Sequence, residues 1–276
     1  MTVAIVVADS VTALGADARG AVLVSGSHGG LVAAQYASAA GVRGAIFNDA
    51  GRGLDDAGIA GVRALDAVGL AAAAVAHTSS RIADGGDTLA RGVVSFANAR
   101  AAALGVAPGM ACREAAECLR AASVPTDTLS IGRDTRVVLH PGNAHATDIV
   151  GLDSIGGVLA SDRGVVLVIG SHGALHGGLP SSALSVDAAG AIFHDAGGGR
   201  DDAGHTRLPV LAGRGIPAAT VAHTSARIGD ARSMWATGTL SRVNTAAAAK
   251  ALSTGMRVAE AARALARTAA SLRRGA

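Results

Sequence analysis

Short runs of uninterrupted apolar residues alternate along this chain with longer stretches in which apolar positions recur every three or four residues. In the first half the runs cover 3–8, 21–25, 44–47 and 70–76, most of them bordered by glycine. Runs this short and this continuous mark strands buried on both faces. Between them, Leu31 to Ala40 stops at Gly41 and Ile59 to Val68 stops at Gly69. A glycine just past the last apolar position is a helix stop, so both stretches are expected helices. Strands alternating with helices of this length imply βαβ units and a parallel sheet. After the fourth run the pattern reads as helical throughout, with one helix from Val93 to Leu104 closed by Gly105 and another from Met110 to Ala122.

The pattern occurs twice. Val22-Leu23-Val24-Ser25-Gly26-Ser27-His28-Gly29-Gly30 returns as Val166-Leu167-Val168-Ile169-Gly170-Ser171-His172-Gly173. Asp9-Ser10 and Ser27-His28 recur 144 positions later as Asp153-Ser154 and Ser171-His172. Two extra residues near Pro180 then move the spacing to 146, at which Asp49 meets Asp195, His77 meets His223, Asn98 meets Asn244 and Met110 meets Met256. An internal repeat of this length implies two copies of one unit. The expected organisation is a first α/β repeat over 1–122, a linker over 123–148 and a second α/β repeat over 149–276. The fold class is α/β, two tandem pseudo-symmetric repeats with mainly parallel sheets. The linker carries Pro125, Gly132, Pro141 and Gly142, with Arg136 to Leu139 as an extra strand. In the second copy Gly177, Gly178 and Pro180 break the first helix, which makes that segment a lid or a loop.

Composition narrows the function. Half of the 276 residues are apolar, yet no run approaches the roughly 18 uncharged apolar residues of a membrane span. Met1 to Asp9 reads as a strand without a basic leader, and the expected location is cytoplasmic. Cys112 and Cys118 fall in one expected helix with no metal-type spacing, and are expected as buried reduced thiols. The net charge of +3 comes from arginine, gathered in part at Arg263, Arg267, Arg273 and Arg274, where it suits a helix end. One Trp, one Tyr and three Phe leave little for bases to stack on, which argues against nucleic acid. Lys250 is the only lysine and has no counterpart in the first copy, so pyridoxal phosphate chemistry shared by both halves is not expected. No Walker loop and no three-glycine dinucleotide fingerprint is present, so no nucleotide is expected.

Each expected strand ends in groups able to do chemistry: Asp9-Ser10, Ser25 to His28, Asn48-Asp49 and His77-Thr78-Ser79. Ligands of open parallel sheets bind beyond the carboxyl ends of the strands, which points to one crevice per half. Turn and cap roles account for Ser, Asp and Asn singly. They do not account for a His at two of four ends in both copies. Between strand and helix, the N–H groups of Gly26 to Gly30 would face an oxyanion. Ser27 is the candidate nucleophile, with His28 or, better placed, His77 as its base. Asp49 and Asp195 are the candidate general bases or orienting partners of a His. Arg81 and Arg227 each offer a bidentate donor to a carboxylate, a substrate's or a neighbouring aspartate's. Asp56 and Asp202 stand where a helix cap belongs. Ser95 and Asn98, like Ser241 and Asn244, stand three apart and so share a face at a helix start.

The catalytic candidates are therefore Ser27, His28, Asp49 and His77, and in the second copy Ser171, His172, Asp195 and His223. The substrate-binding candidates are Asp9, Ser10, Gly29, Asn48, Ser79, Arg81, Ser225 and Arg227. The copies also differ, since Asn48 becomes His194 while His176 and His205 occur only in the second. His172, His194, Asp195 and His223 have the composition of a divalent-metal site, the one cofactor these residues suggest. The expected activity is hydrolysis of a small polar or anionic molecule, an amide for example, with unequal roles for the two halves. A lyase or isomerase acting on a small carboxylate would use the same groups. A two-lobed binding protein would need the arginines and serines but gives no reason for paired His and Asp. The expected partner is a small-molecule substrate, with no nucleic acid and no membrane.

Overall fold

The structure, a computed structural model, describes residues 3–132 and 135–274, with side chains described up to residue 269. Met1 and Thr2, Arg133 and Asp134 of the linker, and the side chains of Arg273 and Arg274 lie outside the described residues. The chain divides into two compact units. The first takes 1–132 together with His176–Gly178 and Ala196–Ala203, and the second takes 133–175, 179–195 and 204–276.

In the first unit Ile5–Ala8 (β1), Val22–His28 (β2), Gly44–Asn48 (β3) and Ala71–Val75 (β4) lie side by side in chain order and run parallel. Val94–Ala97 (β5) completes the open sheet antiparallel to β4. Five helices accompany them: Leu31–Ala39 (α1), Ala57–Leu65 (α2), Gly85–Arg91 (α3), Ala99–Ala103 (α4) and Cys112–Leu119 (α5). The apolar runs of β2, β3 and β4 are continuous because both faces of these strands are covered, whereas β1 is partly exposed. Leu23, Phe47, Ala72 and Ala74 pack with Ala33, Ala37, Ile59 and Leu65 of α1 and α2. Their strand neighbours Val24, Ile46, Ala73 and Val75 pack with Cys112, Ala115 and Leu119 of α5. The parallel strands never reverse their order, so this part of the sheet has no topological switch point. Direction changes only between β4 and β5, and that is where the candidate site forms.

The second unit repeats the plan with one strand more. Arg136–His140 (β6), Ile149–Leu152 (β7), Val166–His172 (β8), Gly190–His194 (β9), Ala218–Val221 (β10) and Leu240–Val243 (β11) form an open sheet in that order. Strands β7 to β10 are parallel, while β6 and β11 pair antiparallel at the two edges. Arg207–Gly213 (α6), Ala231–Thr237 (α7), Thr245–Ala248 (α8) and Val258–Arg274 (α9) accompany the sheet. The extra strand lies in the stretch of chain that joins the repeats. No helix of the described residues is long and apolar enough to cross a membrane.

One expected element is different in kind. Val93 to Leu104 reads as a helix, but its first part is β5 and only Ala99–Ala103 is helical. Asn98 caps that helix, its Oδ1 accepting from the N–H groups of Ala101 and Ala72, both at 3.0 Å. Ser95 and Asn98 therefore share no helix face, and Ser241 on β11 and Asn244 at the start of α8 repeat the arrangement. A stretch this short satisfies either period, and the open edge of β4, whose N–H and C=O groups need partners, decides for the strand. Nor does Asp56 cap α2 as expected. Asp56 occupies the cap position, but its side chain makes no capping bond and pairs with Arg63 at 2.7 Å. Asp202 has a left-handed backbone inside a 3-10 turn.

The copies part where the second lacks α1. Residues 176–182 form only short 3-10 turns. Gly61 on α2 is packed so closely under α1 that a Cβ there would stand 2.3 Å from the Gly30 oxygen and 2.6 Å from Ala34 Cβ. Arg207 is the matching residue in the second unit, and it is fully buried. Its guanidinium lies 5.6 Å from the Phe193 ring centroid and donates to the carbonyls of Ser182 and Ala183. Burial pushes its pKa down to about 9.

Candidate functional site

Asp49 follows β3, His77 follows β4 and Ser95 lies on β5, so three adjacent strands bring them together at one end of the first sheet. Asp49 Oδ1 accepts from the backbone N–H of His77 at 2.9 Å and of Gly51 at 3.0 Å, and lies 3.1 Å from His77 Nδ1. Oδ2 accepts from the Ser95 hydroxyl at 2.8 Å. Burial alone raises the pKa of the Asp49 carboxyl. The bonds from the His77 ring, from Ser95 and from the N–H groups of His77 and Gly51 outweigh it and hold the group below the usual carboxylate range. An ionised carboxylate at Nδ1 selects the tautomer that carries its proton there, which makes Nε2 the ring's acceptor. The His77 side chain remains 26% exposed while Asp49 is buried at 6%, so the base is reachable and its partner is not.

Loop geometry sets this pair. Asn48 Oδ1 and Asp49 Oδ1 turn back onto the N–H groups of Ala50 and Gly51. Ala50, Arg52, Asp55 and Asp56 all have φ between 50° and 58°, as do Ala196, Asp201 and Asp202 in the second copy. A left-handed backbone at a residue other than glycine costs roughly 1–2 kcal/mol. Gly197, in the matching loop of the second repeat, is close enough that a Cβ on it would meet His77 Cδ2 at 2.9 Å and Nε2 at 3.1 Å. Arg200 in the same loop donates its backbone N–H to the His77 carbonyl at 2.9 Å and Nη1 to the Ser79 carbonyl at 3.3 Å. Its Nε–H is buried without a hydrogen-bond partner among the described residues.

The second copy keeps the dyad in looser form. Asp195 Oδ1 accepts from the His223 N–H at 2.9 Å, but His223 Nδ1 stands 3.3 Å away and out of hydrogen-bond alignment. The Asp195 carboxylate raises the His223 imidazole above its ordinary pKa, against the opposing effect of burial. Ser241, the counterpart of Ser95, bonds Thr220 Oγ1 at 3.1 Å instead, and Thr220 also meets His205 Nδ1 at 3.0 Å. Thr220 stands where the first copy has Ala74, so a second hydroxyl has taken the serine.

The other expected site residues hold the chain together. Ser27 and Ser171 accept from the N–H groups of Val11 and Ile155 at 3.1 and 3.0 Å, one bracing role in both copies. The hydroxyl on the Asp49 carboxylate is that of Ser95, not Ser27. His28 Nδ1 accepts from the Gly30 N–H at 3.1 Å, which occupies the lone pair a base would need. The Gly29 N–H donates to the Asn48 carbonyl at 2.8 Å and the Ser27 N–H to Ser25 Oγ at 3.1 Å, so these donors are not open to an oxyanion. His172 lies buried at the end of β8. Asp9 and Asp153 accept from the N–H groups of Gly85 and Ala231 at the starts of α3 and α7. Ser10 caps a short turn through the Thr12 N–H, and Asn48 reaches the Ser80 carbonyl at 3.4 Å. Ser79 and Ser225 each bridge the carbonyl of Ala76 or Ala222 to the N–H of Val93 or Thr239.

Arg81 lies 3.0 Å from Asp84, 3.4 Å from Asp87 and 3.6 Å from Asp201, and this carboxylate company raises its pKa. Arg227 pairs with Asp230 at 3.3 Å. Both arginines therefore answer protein carboxylates. The metal expectation finds no ligand set: among the described residues no three His, Cys, Asp or Glu side chains are grouped to hold an ion. His194 shows why. Burial lowers its pKa despite Asp195, and its Nε2 faces the Ala226 carbonyl at 3.0 Å, a partner that only accepts, so that nitrogen carries a proton.

Ser95 and Arg200 are the residues that sequence reasoning misplaced or passed over. For Arg200 a signal existed, because an arginine stands where the first copy has Leu54. Comparison of the chain with protein-family models, with curated proteins and with solved structures gives no match in any of the three.

Proposed function

We propose that the first unit houses an acid–base site for hydrolysis of a small anionic substrate, an amide for example, with His77 as the base and Asp49 as its orienting partner. The observation that carries this reading is the Asp49–His77 contact at 3.1 Å on an imidazole whose side chain is 26% exposed. His77 Nε2 takes a proton from water as the water oxygen bonds the substrate carbonyl carbon. Asp49 stabilises the imidazolium so formed, and that proton then passes to the leaving nitrogen as the C–N bond breaks. A water nucleophile replaces Ser27, whose hydroxyl braces the chain after β1. The Arg200 guanidinium, anchored on the Ser79 carbonyl and 3.9 Å from Asp201, is the cation beside the dyad that would hold the substrate carboxylate. Paired loops with left-handed backbone at non-glycine residues support the assignment, since such strain gathers at functional sites.

The test is incubation with a panel of small amides and esters bearing a free carboxylate, with products identified by mass spectrometry. Turnover by the wild type that His77→Gln abolishes and Ser27→Ala retains is the expected result. Turnover lost with Ser27→Ala in a folded variant would restore a serine nucleophile, and no turnover of any panel member would remove the hydrolase reading.

A further inference from the structure

Beside the last helix of the second unit lies a cavity of about 150 Å³. It is lined by His140 at the end of β6, by Asn143 and His145 in the loop that follows, and by Arg263 and Arg267 on α9. Two arginines, two histidines and an asparagine are among its lining residues, and among the described residues no aspartate or glutamate lines it. Arg263 and Arg267 stand one turn apart on the helix, a spacing at which like charges repel. Arg263 is held with its guanidinium 4.9 Å from the Trp235 ring centroid, and neither arginine pairs with a carboxylate among the described residues.

The first repeat shows that this charge is not required by the fold. Glu117 and Ala121 stand where the second copy has Arg263 and Arg267, and Glu117 pairs with Arg120 at 2.8 Å. Strand β6 and its loop have no counterpart there, the first sheet having five strands and the second six. The cavity thus arises where an added strand meets a helix whose residues changed from acidic and small to basic. Arg263 and Arg267 lie more than a turn before the end of α9, beyond the reach of the helix C-terminus, so that interaction accounts neither for them nor for the imidazoles.

We propose that this cavity binds a small oxyanion of the phosphate class, either the free ion or the phosphoryl group of a small metabolite. Planar guanidinium forks match the oxygen spacing of such anions, and an anion between them converts the repulsion of Arg263 and Arg267 into attraction. The site shares no residue with the Asp49–His77 dyad and stands independently of its proposed role.

Titration calorimetry of the full chain with inorganic phosphate and with glycerol phosphate, at constant ionic strength in chloride buffer, tests it. One saturable site is expected, weakened about tenfold or more by Arg267→Gln or Arg263→Gln and abolished in the double variant, since hydrogen bonds to charged groups are the stronger ones. Tighter binding of glycerol phosphate assigns a phosphorylated metabolite, and tighter binding of phosphate assigns the free ion. The ring-proton signals of His140 and His145 give a second reading that needs no substitution, and they should shift in parallel with saturation. Absence of saturable binding, unmoved ring signals, or unchanged affinity in the double variant would overturn the proposal.

Discussion

A single oxygen of Asp49 holds His77 at two points, accepting from its backbone N–H at 2.9 Å and meeting its ring Nδ1 at 3.1 Å. The carboxylate therefore sets both where the histidine sits and how its ring is turned. Asp49→Asn keeps the shape but removes the charge that selects the tautomer and stabilises an imidazolium. The expected result is a fall in kcat of about 100-fold or more with KM little changed, because the lost interaction strengthens only as the proton moves. Steady-state kinetics on a substrate found in the panel above measure it, and a loss confined to KM would place Asp49 in binding alone.

The same carboxylate links stability to acid. Its folded pKa lies below the ordinary value of about 3.9, so its contribution is present above pH 4 and is lost as pH falls through the folded value. As pH falls below about 4, wild type should lose stability more steeply than Asp49→Asn, in urea unfolding followed through the acid range. Parallel profiles would mean that the carboxylate is as comfortable unfolded as folded.

His223 carries the opposite sign. Asp195 raises its folded pKa, so its contribution is complete below about pH 6.5, the ordinary histidine value, and is lost as pH rises through the folded value. The stability difference between wild type and His223→Asn should therefore be larger at pH 5.5 than at pH 8.5. Equal differences at both would show that the Asp195 carboxylate does not favour the charged ring.

Ser80 is fully buried, and its hydroxyl has no hydrogen-bond partner among the described residues. The second copy has Ala226 at this position, also fully buried, within an apolar cluster. Ser80→Ala should raise stability by about 1 kcal/mol, the desolvation cost of an unmet hydroxyl. Thermal and urea unfolding would show it as a higher midpoint at constant m-value, and a destabilised variant would reveal a partner for that hydroxyl.

Gly61→Ala should cost at least about 2 kcal/mol, because its Cβ would meet a backbone oxygen at 2.3 Å and helix α1 would have to move. Gly213→Ala on α6, with nothing within 4 Å of the added carbon, is the control and should change stability little or raise it. Similar losses in both variants would mean that intrinsic helix preferences, not close packing, govern Gly61.

Periodicity and repetition alone determined that the chain is two α/β units, where the parallel strands run, and that Asp49 and His77 follow successive strands. Those features are local, since a continuous apolar run followed by a polar residue reads the same in any tertiary setting. That those strands lie side by side came from the structure. The antiparallel strand at Val94–Ala97 was not legible, because its four residues fit either period and the open edge of β4 decides between them. The roles of Ser27, His28 and Gly29 were not legible either. Whether a hydroxyl, a ring nitrogen or an N–H is free depends on which partner the fold supplies, here Val11, Gly30 and Asn48. Ser95 reaches Asp49 only because β5 turns back beside β4, across 46 positions of chain. Side-chain identity named the groups capable of chemistry, and tertiary hydrogen bonding, which consumes most of them, decided which remain available.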